Sequence, residues 1–487
     1  MEHTAAGLFT AMAHAFGHTF TALQEQAAMR LAAFACADAP RPAFILRGYA
    51  GTGKTTLTGT FVQALRETGR SVALLAPTGR AAKVLAAHAG GDAYTVHKVI
   101  YRQRAFNGED THFDLGFNAR RETVFVVDEA SMLSRTGGFD SRFGTGRLLD
   151  DLVAFVYAMP GCRLLLVGDT AQLPPVGETD SPALMPDVMR GYGLSVSGAE
   201  LTEVVRQEAA SSVLAAATSI RSMLTTGQNV RPALTVNPHG EVRRLPGDEL
   251  IEQLVTDYSD YGAEETIVIT RSNKRANLYN AGIRSRIFDR ENDLTRGDIV
   301  MAVKNNYHWT AKAARALQPP ERLPIDFIAN GDSAVVTALS NVHEEYGFRF
   351  ADATLSFPDY GGFELDCRVL LSTLTSESPS LTAEESTRLY EAVLADYADI
   401  PSKAERMKAM REDAYYNALQ IKYAYAVTCH KAQGGQWARV YIDQGYVPDD
   451  TSPTEYLRWL YTAVTRTTER IYLVNWPTEQ TQEEEDT

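Results

Sequence analysis

The stretch Gly48-Tyr-Ala-Gly-Thr-Gly-Lys54-Thr55 constrains this chain more than any other part of it. It satisfies the pattern GxxxxGK[ST] in full. The short apolar run AFILRG precedes it, and a helix-compatible stretch from Thr55 to Arg66 follows. In a strand–loop–helix of this kind, glycines let backbone N–H groups turn toward phosphates without a Cβ in the way. Lys54 is placed to neutralise the β and γ phosphates, and the Thr55 hydroxyl to reach Mg²⁺. Gly48, Ala50, Gly51, Thr52, Gly53, Lys54, Thr55 and Thr56 are therefore candidate nucleotide contacts. A chance glycine turn is the bland alternative, and it leaves the flanking strand and helix unexplained.

Three more apolar runs follow at strand length: SVALLAP from Ser71, TVFVVDE up to Asp128 and Glu129, and CRLLLVGD ending at Asp169. Apolar strands that alternate with helical stretches predict a parallel sheet covered on both faces. Ligands of such sheets sit at the carboxyl ends of the strands, so the four polar run-ends should converge on one crevice. A second unit of the same type is split. ETIVITRSN belongs to its first part, and YAYAVTCHKAQG, ARVYID and RIYLVNW to its second. Between them LTRGDIVMAV, DSAVVTAL, FRFADATLSF and ELDCRVLLS read as short strands of a small barrel, with Thr382–Gln420 a charged helical insertion on it.

A chain of 487 residues exceeds one ordinary domain. No apolar stretch reaches spanning length, so no membrane helix is expected. The N-terminus MEHTAAGLFTAMAHAF has no basic leader, and the four cysteines (Cys36, Cys162, Cys367, Cys429) lack disulfide or zinc spacing, so a cytoplasmic setting is expected. The net charge of −14 argues mildly against nucleic acid. A local basic patch can still bind it, and part of the negative charge sits in the tail around Glu483–Glu485.

Further chemistry lies at the strand ends. Asp128 suits a Mg²⁺ role, and Glu129 is placed to orient or deprotonate an attacking water. Alone, Asp-Glu after a strand is often a surface turn; downstream of the glycine loop it reads as catalytic. Gln172, in Gly168-Asp169-Thr-Ala-Gln-Leu-Pro-Pro-Val, can hydrogen-bond both a γ-phosphate and a water, and prolines stiffen its loop. Arg206 and Arg466 are candidates to meet the charge that builds on the γ-phosphate, although a surface ion pair is the commonest fate of an arginine. Arg271 does not rise above that fate. Thr78, Lys83 and His97 carry groups that suit phosphate oxygens. His97 could equally be a satisfied core histidine. His430, beside Lys431 at a strand end, is the stronger candidate.

The ordered series GYAGTGKT, APTGRAAKVL, TVHK, VVDEAS, VGDTAQLPPVG, LTEVVRQ, VTCHKAQGGQW and YTAVTRT resembles the superfamily 1 helicases, in particular the RecD/Dda-like B group that moves 5′ to 3′. The match runs from about residue 20 to 475. It implies two RecA-like P-loop domains with parallel sheets, a small β-hairpin pin and a β-barrel-like accessory insert. The expected division is a helical segment over 1–40, a first RecA-like domain over 41–200 with the pin at about 98–122, a second over 201–293 and 421–476, the insert over 294–420 and an acidic disordered tail over 477–487. The resemblance places Lys54, Thr55, Asp128, Glu129, Gln172, Arg206 and Arg466 around ATP and Mg²⁺, and makes Gln433 and Gly434 couple the nucleotide to the second domain. It puts Thr78, His97, Thr428 and His430 on single-stranded DNA. A glutamine upstream of the loop reads adenine in this group; of Gln24 and Gln26, the pattern FTALQ selects Gln24. Gly435 departs from the group, where many relatives carry serine.

The expected activity is thus an ATP-dependent helicase acting on single-stranded and forked DNA as a monomer. One rival is a translocase that remodels complexes without unwinding. Another is a decayed, binding-only subunit, opposed by the intact Lys54, Asp128, Glu129 and Arg466. For strand separation, Asn107-Gly108 is a two-residue turn signal. Its flanks RQRAF and EDTHF can pair as a hairpin, with Phe106 or Phe113 available to stack on a base pair or to pack on the parent domain.

Overall fold

The computed structural model describes residues 4–103, 113–136, 144–205, 211–228, 230–317, 323–325 and 327–483. Arg206, Phe106 and the Asn107-Gly108 turn lie outside them. The chain divides into two compact units. Of the described residues, those up to Pro232 together with Asp450–Thr465 form the first, and Ala233–Asp449 with those from Arg466 on form the second.

Among the described residues the first unit holds β1 (Pro42–Gly48), β2 (Ser71–Ala76), β3 (Ala93–Thr95), β4 (Tyr101–Gln103), β5 (Phe113–Leu115), β6 (Thr123–Val127), β7 (Arg163–Gly168) and β8 (Ser195–Leu201). Six of them form a sheet in the order β3-β2-β6-β7-β1-β8, and every neighbouring pair is parallel. Strands covered on both faces must be apolar throughout, and all five residues of β6 are buried. On one face the helices Ala5–Phe16, Ala22–Cys36 and Lys54–Glu67 put Leu8, Leu31 and Phe61 against Phe44, Val126 and Leu165 of the sheet. β4 and β5 pair antiparallel, with Tyr101 opposite Leu115 and Gln103 opposite Phe113, which is the base of the expected hairpin.

The second unit holds β9 (Leu234–Val236), β10 (Val242–Leu245), β11 (Thr266–Thr270), β12 (Ile299–Ala302), β13 (Ser333–Glu345), β14 (Phe348–Phe357), β15 (Phe363–Leu370), β16 (Leu419–Tyr423), β17 (Ala426–Thr428), β18 (Trp437–Asp443), β19 (Thr467–Val474) and β20 (Thr481–Glu483). A parallel sheet runs β10-β19-β18-β11-β17, and β12 to β16 close into a barrel. One core joins the two, with Val268 and Tyr441 of the sheet clustered with Ile421 and Leu355 of the barrel. Asp298, fully buried, pins the junction. It accepts from Arg284 Nε at 3.0 Å, Arg290 Nη1 at 2.7 Å and the Tyr425 hydroxyl at 3.0 Å. A buried carboxylate is tolerable only with such compensation. The insertion forms helices Ala383–Asp396 and Lys403–Glu412, whose Leu389, Val393 and Met410 sit on Phe348 and Phe350 of the barrel.

Three boundaries differ from the sequence reading. The first unit continues past residue 200 to Pro232, because the helix Ser212–Thr226 packs within it. The helix Pro453–Val464 also belongs to the first unit, although strands of the second flank it in sequence. Thr481–Glu483, within the expected disordered tail, form β20, which pairs with β9 through Thr481–Leu234 and Glu483–Val236. None of the four cysteines is in a disulfide, and no helix of the described residues is long and apolar enough to cross a membrane.

Candidate nucleotide site and nucleic-acid contacts

Strand order brings the motifs together. β6, β7 and β1 are consecutive neighbours, so the chain leaves three adjacent strands through Asp128-Glu129, Gly168-Asp169 and the glycine loop. Within that loop Gly51 and Gly53 adopt φ of +72° and +77°, which glycine takes at little cost. At Gly48 a Cβ would stand 2.9 Å from Lys54 Cγ, so the lysine stem lies across the loop. Lys54 Nζ donates to the Tyr49 carbonyl at 2.7 Å. Thr55 and Thr56 sit in the first turn of the helix Lys54–Glu67, whose N-terminal amides favour an anion.

Gln24 reaches this loop from the helix Ala22–Cys36. Its Oε1 accepts the Thr21 N–H at 3.0 Å in a capping box, and its Nε2 donates to the Thr52 carbonyl at 3.1 Å. A Cβ on Gly53 would stand 2.6 Å from that amide nitrogen. Gln26 is exposed on the same helix.

Asp128 and Glu129 lie side by side. Burial, then the neighbouring Glu129 charge, raises the Asp128 carboxyl from 3.8 to about 6. Asp128 Oδ1 accepts the Glu129 N–H at 2.9 Å. Glu129 itself has φ +49°, an uncommon conformation for a residue with a side chain, and one that concentrates at working sites. Gln172 is 6% exposed, and its Oε1 is buried and accepts no hydrogen bond among the described residues. Such an acceptor suits a water or another donor brought by a ligand. Asp169 is buried, and that burial raises its carboxyl above the usual range, opposed by the Lys54 charge and a hydrogen bond from Tyr461.

Of the nucleic-acid candidates in this unit, Thr78 caps the helix Gly79–Ala89, accepting the Ala81 N–H at 3.2 Å. Lys83 is exposed on that helix, and His97 is half-buried with its ring 5.7 Å from Tyr101. Phe113 requires a correction. It is 7% exposed, so its ring is buried and not offered to a base pair in this structure; its carbonyl accepts the Gly144 N–H at 2.7 Å. Alternation along β5 turns Phe113 inward and Asp114 out. The exposed ring here is Phe117, 80% accessible, which the sequence reading passed over.

In the second unit Thr428 ends β17 and His430 is exposed in the short helix Cys429–Ala432. Gln433 is buried, and Gly434 has φ +73°. Gly435 stands where serine was expected because Trp437 occupies the space: a Cβ there would lie 2.3 Å from the indole. Arg466 is 3% exposed and donates through Nη1 to the Gly435 carbonyl at 3.3 Å. Tyr461 is the residue that sequence reasoning missed at the nucleotide loop; its hydroxyl accepts the Ala50 N–H at 3.0 Å.

A phosphate loop on a central strand, with an acidic pair and a glutamine loop on its neighbours, is the core of a P-loop ATPase. The second unit carries a parallel sheet of its own. Comparison with known proteins agrees. The "AAA domain" family model matches residues 21–242, and the "UvrD-like helicase C-terminal domain" model matches 423–474. The ATP-dependent DNA helicase dda of Enterobacteria phage T4 is 25% identical over 416 residues, 82% of this chain and 86% of that protein. The ATP-dependent RecD2 DNA helicase of Deinococcus radiodurans is 29% identical over 305 residues, 59% of this chain but 38% of that longer protein. Among solved structures, a Pif1 helicase from Bacteroides in complex with ADP-AlF3 and ssDNA aligns over 95% of this chain and 94% of its own, at 17% identity and a TM-score of 0.47. These likenesses support a DNA helicase of superfamily 1, similar to the B group of RecD- and Dda-like enzymes.

Proposed function

We propose that this protein hydrolyses ATP with Mg²⁺ to move 5′ to 3′ along single-stranded DNA, and that it unwinds the duplex ahead. The observation that carries the reading is the meeting of Lys54, Asp128-Glu129 and Gln172 at the ends of adjacent strands. Lys54 and the loop amides hold the phosphates, Glu129 takes the water proton, and Gln172 senses the γ-phosphate. Arg466 and Arg206 meet the charge that develops there, while Gln24 reads adenine. Thr78, Lys83, His97, Thr428 and His430 contact the strand, and Gln433 and Gly434 pass the nucleotide state on. Support for DNA as the track comes from the likeness to the dda and RecD2 DNA helicases and from the hydroxyl, imidazole and ammonium chemistry of these side chains.

The donor set fits Mg²⁺ held chiefly by nucleotide and water. Thr55 supplies a hydroxyl and Asp128 a carboxylate, and the described residues contain no cluster of three or more His, Cys, Asp or Glu that could cage a metal alone. Bound there, the ion would neutralise phosphate charge. Because the Asp128 carboxyl titrates at about 6, protons compete with the metal below that pH. The Mg²⁺ concentration for half-maximal ATPase is expected to hold steady from pH 8 to 7 and to rise steeply below pH 6. A requirement unchanged at pH 5.5 would remove Asp128 from the metal site.

The direct test is unwinding of matched duplexes carrying a 5′ or a 3′ single-stranded tail. The 5′-tailed substrate should open and the 3′-tailed one should not. Affinity for the single strand should fall with salt at a log–log slope of about −0.7 per phosphate contact. Robust ATPase on DNA with neither duplex opened would leave a translocase that remodels complexes.

A further inference from the structure

The helix Pro453–Val464 meets the nucleotide motifs of the first unit through two consecutive residues. Tyr461 is 1% exposed, and its hydroxyl stands between two of those motifs. It accepts the Ala50 N–H of the phosphate loop at 3.0 Å and donates to Asp169 Oδ2 at 2.6 Å. Asp169 Oδ1 in turn accepts the Ala171 N–H at 2.9 Å. One residue on, Thr462, fully buried, accepts the Leu173 N–H at 2.8 Å through Oγ1. That hydroxyl donates to the Arg458 carbonyl at 2.7 Å, so its orientation is fixed by its own helix. Farther along the loop, Arg458 Nη2 donates to Asp180 at 2.9 Å.

Gln172 therefore sits between two fixed backbone amides: that of Leu173, held directly by Thr462, and that of Ala171, held by Asp169, whose other oxygen accepts from Tyr461. The turn also holds the phosphate loop at Ala50. Gln172 Oε1, the acceptor free among the described residues, is thus set in a loop that cannot move without breaking bonds to Tyr461 or Thr462. Buried hydrogen bonds of this kind are costly to leave unmade. Arg466 follows Thr462 by four positions in sequence.

We propose that Tyr461 and Thr462 are positioning residues that set Gln172 against the phosphate loop, so that the seating of the helix Pro453–Val464 governs turnover. Both act through the loops they hold, and their loss should lower kcat while leaving nucleotide affinity nearly intact.

The inference rests on the ATPase reading, so the parent chain is assayed alongside every variant with ATP, Mg²⁺ and single-stranded DNA. A parent without turnover would defeat that reading itself. Given an active parent, Tyr461→Phe keeps the ring and removes only the hydroxyl. It should lower DNA-stimulated kcat about tenfold or more and leave KM for ATP within about threefold. Asp169→Asn should do the same, and the double variant should be no worse than either single one, because one network is broken once. Parent-like kcat in Tyr461→Phe, or a raised KM at unchanged kcat, overturns the proposal. Should Tyr461→Phe fail to fold by circular dichroism, Thr462→Val carries the decision. It must show the loss in kcat at unchanged KM, and a parent-like kcat there overturns the proposal equally.

Discussion

Lys54→Ala is expected to abolish DNA-stimulated ATP hydrolysis and to leave the fold intact. Its ammonium is the one side-chain cation in the phosphate loop, and it makes a 2.7 Å hydrogen bond to the Tyr49 carbonyl of that same loop. None of its atoms belongs to the apolar core formed by Leu31, Phe61 and Leu165. The loss should reach at least the roughly 10²–10³ seen when a preorganised charge-stabilising group is removed from a site, with thermal unfolding little changed. Turnover within tenfold of the parent would sink the assignment of the phosphate loop. Glu129→Gln separates binding from chemistry. The left-handed backbone at φ +49° should hold the isosteric amide where the carboxylate stands, so ATP binding should persist while turnover is lost. Poor ATP binding by that variant would make Glu129 a binding residue instead of the base.

The glycine loop, the acidic pair and the glutamine loop were legible because each is a local pattern tied to the end of an apolar strand. Their meeting was legible too, since parallel sheets gather ligands at the strand ends. Other features depended on partners distant in sequence. The helix Pro453–Val464 carries Tyr456, Trp459 and Leu460 on its buried side, which tells that it is covered but not by which unit. The role of Tyr461 rests on Ala50 and Asp169, two loops that share no spacing with it. Phe113 was read as a stacking candidate because a hairpin pattern fixes alternation but not which face the parent domain covers. The absent serine at Gly435 was noticed in the sequence, whereas its cause, the indole of Trp437, lies two residues on and shows only in three dimensions.

Arg466→Ala should cut DNA-stimulated ATPase by about 10³ or more, the scale of an arginine that meets γ-phosphate charge, and should hardly alter DNA binding without nucleotide. Arg466 is 3% exposed, which sets it apart from a surface ion-pair arginine. Its guanidinium donates to the Gly435 carbonyl, directly after the Gln433-Gly434 pair. The same charge acts on Cys429, whose thiol burial pushes up to about 12 against the opposing pull of Arg466. Arg466→Lys should recover little, since an ammonium cannot reproduce the planar fork that meets phosphate oxygens. The measurement is single-turnover hydrolysis with saturating ATP, beside salt-titrated binding to single-stranded DNA. Normal hydrolysis with lost DNA affinity would move Arg466 to the nucleic-acid path. A parallel loss of both, with a lowered melting temperature, would make it a structural anchor for the Gly435 turn.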